Sequence, residues 1–253
     1  LAIQALLFGD GGLTAFGAKW FKMAVVLPWV GYFIYKIISG NSDIASKRRL
    51  VGAVAGSYIA IVVASLVAGI ELGVQPALFH AADGTPLYAP YGLEVALPAM
   101  AIGHLAVAGP VEATVTGLVF YYLQKSHSSL LAKTEEPQKD GKLWIIWSAA
   151  LVLLAFATPL GLLAVGTAWG EWGADEIKDM FGYIPKGLQS MGDFWKAPIP
   201  DYSIPGVGDV PGYILSALIG LVIVGALVWL LARWIGHKNI SGQKPSAKGE
   251  PTV

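Results

Sequence analysis

The sequence predicts an all-α integral membrane protein, a polytopic helix bundle with four full transmembrane helices plus the stub of a truncated one. Three observations carry this. Of 253 residues, 55% are hydrophobic and 13% charged, against about a quarter charged in an ordinary soluble domain. Several apolar runs reach the length of about 20 residues needed to cross a bilayer core of about 30 Å. Period-two alternation, the mark of half-buried strands, is absent. This composition sets aside a soluble helical bundle.

Residues 1–8, LAIQALLF, read as the last two turns of a first helix. With no Met and no basic leader at its start, the chain is expected to be an N-terminally truncated fragment. Residues 9–22, GDGGLTAFGAKWFK, form a polar, glycine-rich break. The run 23–38 is a span that can borrow length from 13–21. GNSDIASKRR (40–49) is a polar turn, and 51–72 is the next span. Residues 73–92 carry three prolines and three glycines and read as a loop. The run 93–123 is long for one crossing and is interrupted by Pro98 and by Ala108-Gly109-Pro110. Residues 125–142 are a polar linker, 143–166 a further span with Pro159 and Gly161 near its end, and 167–210 a long segment with Trp169, Trp172 and Trp195. The last span is 211–235, followed by a polar tail.

Charge fixes the sidedness. Twelve of the 17 Lys and Arg fall on one set of segments: Lys36, Lys47, Arg48 and Arg49; Lys125, Lys133, Lys139 and Lys142; Arg233, Lys238, Lys244 and Lys248. Such residues favour the cytoplasmic side. The pattern holds only if 93–123 crosses once, because two crossings would put 125–142 outside. The glycine-rich break then faces outward and the C-terminal tail is cytoplasmic. The expected organisation is a membrane domain over 1–124, a cytoplasmic linker over 125–142, and a two-helix unit over 143–236. That unit carries an extracytoplasmic loop (168–210), and the tail covers 237–253.

The net charge is zero, so no bulk attraction to nucleic acid is expected. The absence of cysteine excludes disulfides, zinc-thiolate sites and cysteine nucleophiles. Polar side chains inside spans are costly and therefore functional suspects: Gln4, Asp10, Glu71, Glu94, His104 and Glu112. Glu71 and Glu94 lie at span ends, where water solvates them. His104 and Glu112 are deeper and eight residues apart, about 12 Å along an ideal helix. They cannot share a metal ion unless the helix breaks at Gly109-Pro110. His104 reads either as a neutral histidine bonded to a neighbouring helix or as a ligand or relay. Glu112 needs a partner or a wet cavity, or else anchors two helices together. His80, His127 and His237 read as solvated. No HExxH, GxSxG or phosphate-cradling loop is present, and GAVAG (52–56) is a weak signal of close helix approach. The break itself is either an exterior turn with glycines at positive φ or backbone lining a cavity at membrane depth.

QALLFGDGGLTAFGAKWFKMAVVLPWVGYFIYK resembles the signature of the CbiM/NikM family, the substrate-capture membrane subunits of cobalt and nickel energy-coupling-factor transporters. IELGVQPALF and HLAVAGPVEATVTGLVFYYL stand in the places of that family's later helices, so the resemblance covers about 1–123. The signature residues here are Gln4, Gly11, Gly12, Leu13, Thr14 and Gly17. Residues 143–235 are similar to the small accessory subunit known by its PDGLE motif. ATPLGLLAVGTAWGEWG stands near that position, and a literal PDGLE is absent.

The resemblance implies uptake of Ni(II) or Co(II), the latter for cobalamin biosynthesis, by a multi-pass protein of the cell (inner) membrane. It implies no enzyme activity and no covalently bound cofactor, with the ion as substrate. Its implied partners are a coupling transmembrane subunit, separate ATPase subunits and membrane lipid. The family's metal ligands would all precede Leu1, so none is assignable in 1–253, and this fragment is expected not to bind metal. Lys19 stands where the family has asparagine, and Lys22 replaces a commonly polar position. Two other functions stay open: a membrane assembly or structural subunit, and an enzyme using Glu112 and His104.

Overall fold

In the computed structural model, the structure describes residues 1–126, 141–164, 167, 169–192 and 194–241. Most of the predicted 125–142 linker, His127, the His237 side chain and the end of the tail lie outside the described residues. The described residues form helices and turns, with one isolated bridge between His80 and Pro86 in place of any strand.

Four helices are long and apolar enough to cross a membrane, as the composition predicts: Phe16–Ser39 (α1), Lys47–Leu78, Leu93–Lys125 (α3) and Asp209–Trp234. The regular part of the second, Lys47–Gly73, is α2. The run 143–166, expected as a further span, is not among these four; it gives an α-helix, Gly141–Ala157 (α4), that tightens into a 3-10 turn at Thr158–Leu163. Pro159 cannot donate to the α ladder, and the turn tightens where that donor is missing. Two short helices follow, Ala174–Phe181 (α5) and Lys186–Met191 (α6), before the last helix, Asp209–Ser241 (α7).

By packing, the chain divides into two compact units: Leu1–Trp144 with Val165–Pro198, and Ile145–Ala164 with Ile199–Val253. In the second, the 3-10 turn packs on α7. The buried Ser216 hydroxyl there donates to the Tyr202 carbonyl at 2.8 Å.

In the first unit α2 is the central helix, flanked by α1 and α3. Its buried residues are nearly all small: Gly52, Gly56, Ala60, Ala64, Ser65, Ala68, Gly69 and Gly73. A Cβ at Gly56 would lie 2.7 Å from the Gly31 carbonyl of α1, and one at Gly73 would lie 2.7 Å from Leu93 Cα of α3. Without a hydrophobic drive between helices in lipid, such backbone-to-backbone approach supplies the packing. Large apolar side chains instead point outward, Trp29 being 76% exposed, which suits hydrocarbon rather than water.

The helices pass through their prolines without breaking. Segment Phe21–Val26 is a π-turn two residues before Pro28, and His104–Ala108 is another two residues before Pro110. Proline lacks an N–H and its ring crowds the carbonyl of the preceding turn, and widening the helix there relieves both problems. In the π register, the carbonyl that Pro110 would have served is that of Leu105. Tyr58 on α2 donates its hydroxyl to that oxygen at 3.1 Å. A neighbouring helix thus satisfies the freed group, as membrane interiors require. Leu93–Lys125 is consequently one 33-residue helix, about 50 Å long and so longer than the hydrocarbon core.

The basic ends of these helices are tied together by side chains. Ser46 caps α2 by accepting from the Arg48 N–H at 3.2 Å. Gln124 of α3 donates to the carbonyls of Ile44 and Ser46 at 2.6 and 3.1 Å.

Candidate functional site

The opposite end of the bundle carries the glycine-rich break. Gln4–Phe8 is one π-turn that stops because Gly9 adopts φ +75°. Gly11 and Gly12 follow at +72° and +69°, a region other residues enter at a cost. The Asp10 N–H turns back to the Gln4 carbonyl at 3.1 Å, and the Gly12 N–H to that of Gly9 at 2.9 Å. Three left-handed glycines therefore reverse the chain between the stub and α1. Of the signature residues, Gln4, Gly11, Gly12 and Leu13 are partly buried in this reversal, while Thr14 and Gly17 are exposed.

The two unexpected lysines are neutralised in place. Lys19 folds over Gly11, where a Cβ would sit 2.9 Å from its Nζ. From there it reaches Asp10, donating to the backbone carbonyl at 3.1 Å and pairing with Oδ2 at 3.2 Å. Lys22 pairs with Glu71 Oε2 at 2.6 Å, joining α1 to the end of α2. Glu71 is thus an ion-pair partner rather than a carboxylate held by water alone; Glu94 remains exposed. Opposite charges close to these lysines remove the net positive field they would otherwise place at the break.

His104 and Glu112 are not brought together. The Nδ1 of His104 lies 2.8 Å from the Met100 carbonyl of its own helix. A carbonyl only accepts, so Nδ1 is the donor in this contact. Glu112 accepts from the Thr116 hydroxyl at 3.3 Å, one turn along the same helix. No cluster of three His, Cys, Asp or Glu side chains suited to a metal ion occurs among the described residues. A groove of about 390 Å³ between α1, α2 and α3 is lined by Gly31, Tyr35, Ser57, Ala60, Thr116 and Phe120, which offer hydroxyls but no imidazole or carboxylate.

Residues not singled out in the sequence shape the same end. Gln75 donates to the Glu71 carbonyl and accepts from the Ala89 N–H, both at 3.1 Å, clamping the 79–92 loop to α2. The loop is a small hairpin closed by Leu87 N–H to the Phe79 carbonyl at 2.9 Å, with Gly84 at its turn. Tyr91 is buried against Trp169 and Trp172, with ring centroids 4.9 and 5.6 Å away. The Gly187 N–H of α6 donates to the Leu87 carbonyl at 2.8 Å. The Trp195 indole N–H donates to the Leu6 carbonyl at 3.0 Å. A segment late in the chain therefore packs on the break end of the first unit. Nothing local in the sequence signals these pairings.

Burial pushes the Tyr91 hydroxyl up to about 12 from 10.0. The folded state thus favours the protonated ring. That preference contributes fully below pH 10, where the unfolded tyrosine is also protonated, and is lost as pH rises from 10 towards 12. Residues 169–192 are accordingly expected to become protease-sensitive over that window, and Tyr91→Phe to abolish the pH step.

Comparison with known proteins adds the following. Residues 1–130 match the family described as the cobalt uptake substrate-specific transmembrane region, CbiM. Residues 142–237 match the PDGLE domain. The fused nickel transport protein NikMN of Rhodobacter capsulatus is 43% identical over 250 residues, covering 92% of this chain and 71% of its own length. A relative named "Probable fused nickel transport protein LarMN", from Lactiplantibacillus plantarum, is 42% identical over 249 residues, covering 96% and 72%. A solved structure of a truncated transition metal transporter is 54% identical, with a TM-score of 0.46. The match takes in 50% of this chain and 57% of that one.

Proposed function

The chain belongs to the CbiM family, with a PDGLE domain following in the same polypeptide, and from that premise we propose that it is the substrate-binding membrane subunit for uptake of nickel or cobalt ions. The single observation that carries this is the order of the two matches in one chain, the arrangement the fused nickel transport relatives also have. Uptake is powered by separate ATPase subunits acting through a coupling transmembrane subunit, as the resemblance to the cobalt and nickel energy-coupling-factor transporters implies. The ion is cargo rather than a resident cofactor.

Two features of the molecule support the reading. The break is a polar segment in an apolar block, and its lysines Lys19 and Lys22 are paired with Asp10 and Glu71, so neither of these two ammonium groups stands uncompensated before an approaching divalent cation. The charge bias supports an outward-facing break and a cytoplasmic tail, provided that α4 and its 3-10 turn also cross. Their 17 and 6 residues rise about 37 Å, enough for a core of about 30 Å. The segments 1–124, 125–142 and 143–236, with 237–253 as tail, remain the proposed functional division.

Uptake of radioactive nickel and cobalt by cells making the full-length protein tests this. Accumulation is expected only when the coupling and ATPase subunits are present together with this chain. ATP-independent accumulation, or none of either metal, would refute the assignment. Deleting 142–253 separates transport from an assembly role for the C-terminal unit. Unchanged uptake would make that unit dispensable for transport.

A further inference from the structure

We propose that Trp195 is a positioning residue for metal capture, its indole N–H capping the Gln4–Phe8 turn and holding the glycine break in one shape. The proposal rests on the transport reading above. A helix end leaves carbonyls without intrahelical donors. Here the N–H groups of Gly9 and Asp10 both turn to the Gln4 carbonyl, so the Leu6 carbonyl lies beyond the helical ladder. Its donor comes from 189 residues away, the Trp195 indole at 3.0 Å.

Ala197 closes on the same turn, with its Cβ 3.1 Å from where a Cβ at Gly9 would stand. The segment bearing both residues is itself fixed to the first unit. Trp169 and Trp172 pack on Tyr91, and Gly187 donates to the Leu87 carbonyl. It therefore acts as a strap, anchored on the 79–92 loop and pressing on residues 6–9.

A reversal built from three left-handed glycines has wide conformational freedom of its own. The Lys19–Asp10 and Lys22–Glu71 ion pairs both involve residues of this break, so its shape sets where those charges stand. Restricting it from outside is the role the indole fills. Because Trp195 acts through backbone that it orders, its loss should change apparent affinity for metal rather than the turnover of loaded transporter.

The test uses the full-length protein in its complete transporter. Trp195→Phe removes the donor and keeps an aromatic ring, whereas Trp195→His keeps a ring N–H. In Trp195→Phe the amides of residues 9–12 are expected to exchange about five- to tenfold faster, the effect of losing one hydrogen bond. The KM for nickel or cobalt uptake should rise severalfold with maximal rate retained, and Trp195→His should recover part of both. Unchanged exchange and KM in Trp195→Phe, or no recovery in Trp195→His, would overturn the proposal.

A second arm does not depend on those variants folding. Residues 1–253 contain no cysteine, so Gly9→Cys combined with Ala197→Cys, with any cysteine elsewhere in the full-length protein replaced by serine, can form only the bridge between these positions. Oxidation should join them; two thiols that stay reduced in folded protein would contradict the strap. If wild-type transporter takes up neither metal, the transport reading fails, and the role in capture with it. If wild-type uptake is normal and Trp195→Phe matches it, only the present inference fails.

Discussion

Replacing Gly56 with leucine is expected to eliminate the folded membrane block. A Cβ at this position would stand 2.7 Å from the Gly31 carbonyl and 3.4 Å from the Tyr35 backbone nitrogen. Those are backbone atoms of α1, and no rotamer change can move them aside. Even one extra carbon in a tight core costs about 1–3 kcal/mol, and leucine adds three more with no space to enter. The expected result is loss of most membrane-inserted protein, or a thermal midpoint in detergent lowered by about 10 °C or more, since 1 kcal/mol shifts a domain of this size by about 2–4 °C. Gly117→Ala makes a graded control, because its Cβ would meet Val54 Cγ2 at 2.8 Å, a side chain that can rotate. Gly225→Leu is a neutral control on α7, with nothing within 4 Å. A Gly56→Leu protein as stable as the wild type would mean that α1 and α2 do not approach this closely.

Removing one member of the Lys22–Glu71 pair is expected to have the next largest effect. Glu71→Gln leaves an ammonium whose side chain is only 19% exposed, beside a former partner 28% exposed. Exposed pairs are worth about 0.2–1 kcal/mol, and breaking a buried one costs about 3–5 kcal/mol. This pair lies between the two, so a loss of about 1–3 kcal/mol is expected. The uncompensated charge should also slow capture of a divalent cation. That gives a KM for metal uptake raised severalfold at low ionic strength, with the gap narrowing as salt shortens the Debye length to about 8 Å or less. Exchanging the charges, Lys22→Glu with Glu71→Lys, should restore much of both. An effect on KM independent of salt, or none, would show that the pair has no electrostatic role at the break.

The parts of the fold that the sequence displays openly are those set by composition along the chain. The long apolar runs became α1, α2, α3 and α7, and α3 runs on through Pro98 and Pro110 as one helix, where the charge distribution had asked for a single crossing by a tilted or partly re-entrant helix. Gly9, Gly11 and Gly12 of the break took the positive φ that their residue type favours, while Gly17 is helical. What the sequence hides is everything set by contact between distant segments. GAVAG looks like many other small-residue stretches, and only the position of Gly31 across from Gly56 shows why leucine cannot replace it. Lys22 looks like an intrusion because its partner lies 49 residues away on another helix. Trp195 looks like one of several loop tryptophans until its indole is found on the Leu6 carbonyl. The π-turns were likewise concealed. A proline predicts a break, but whether the helix ends or widens depends on a neighbour such as Tyr58 to satisfy the freed carbonyl.

The central claim is that this chain belongs to a protein that captures nickel or cobalt. Its most direct test is metal binding to the purified full-length protein in detergent or nanodiscs, titrated with Ni(II), Co(II) and Mg(II). The account predicts saturable binding of one Ni(II) or Co(II) per protein, unaffected by a large excess of Mg(II). Binding of neither ion, or equal binding of all three, would contradict it.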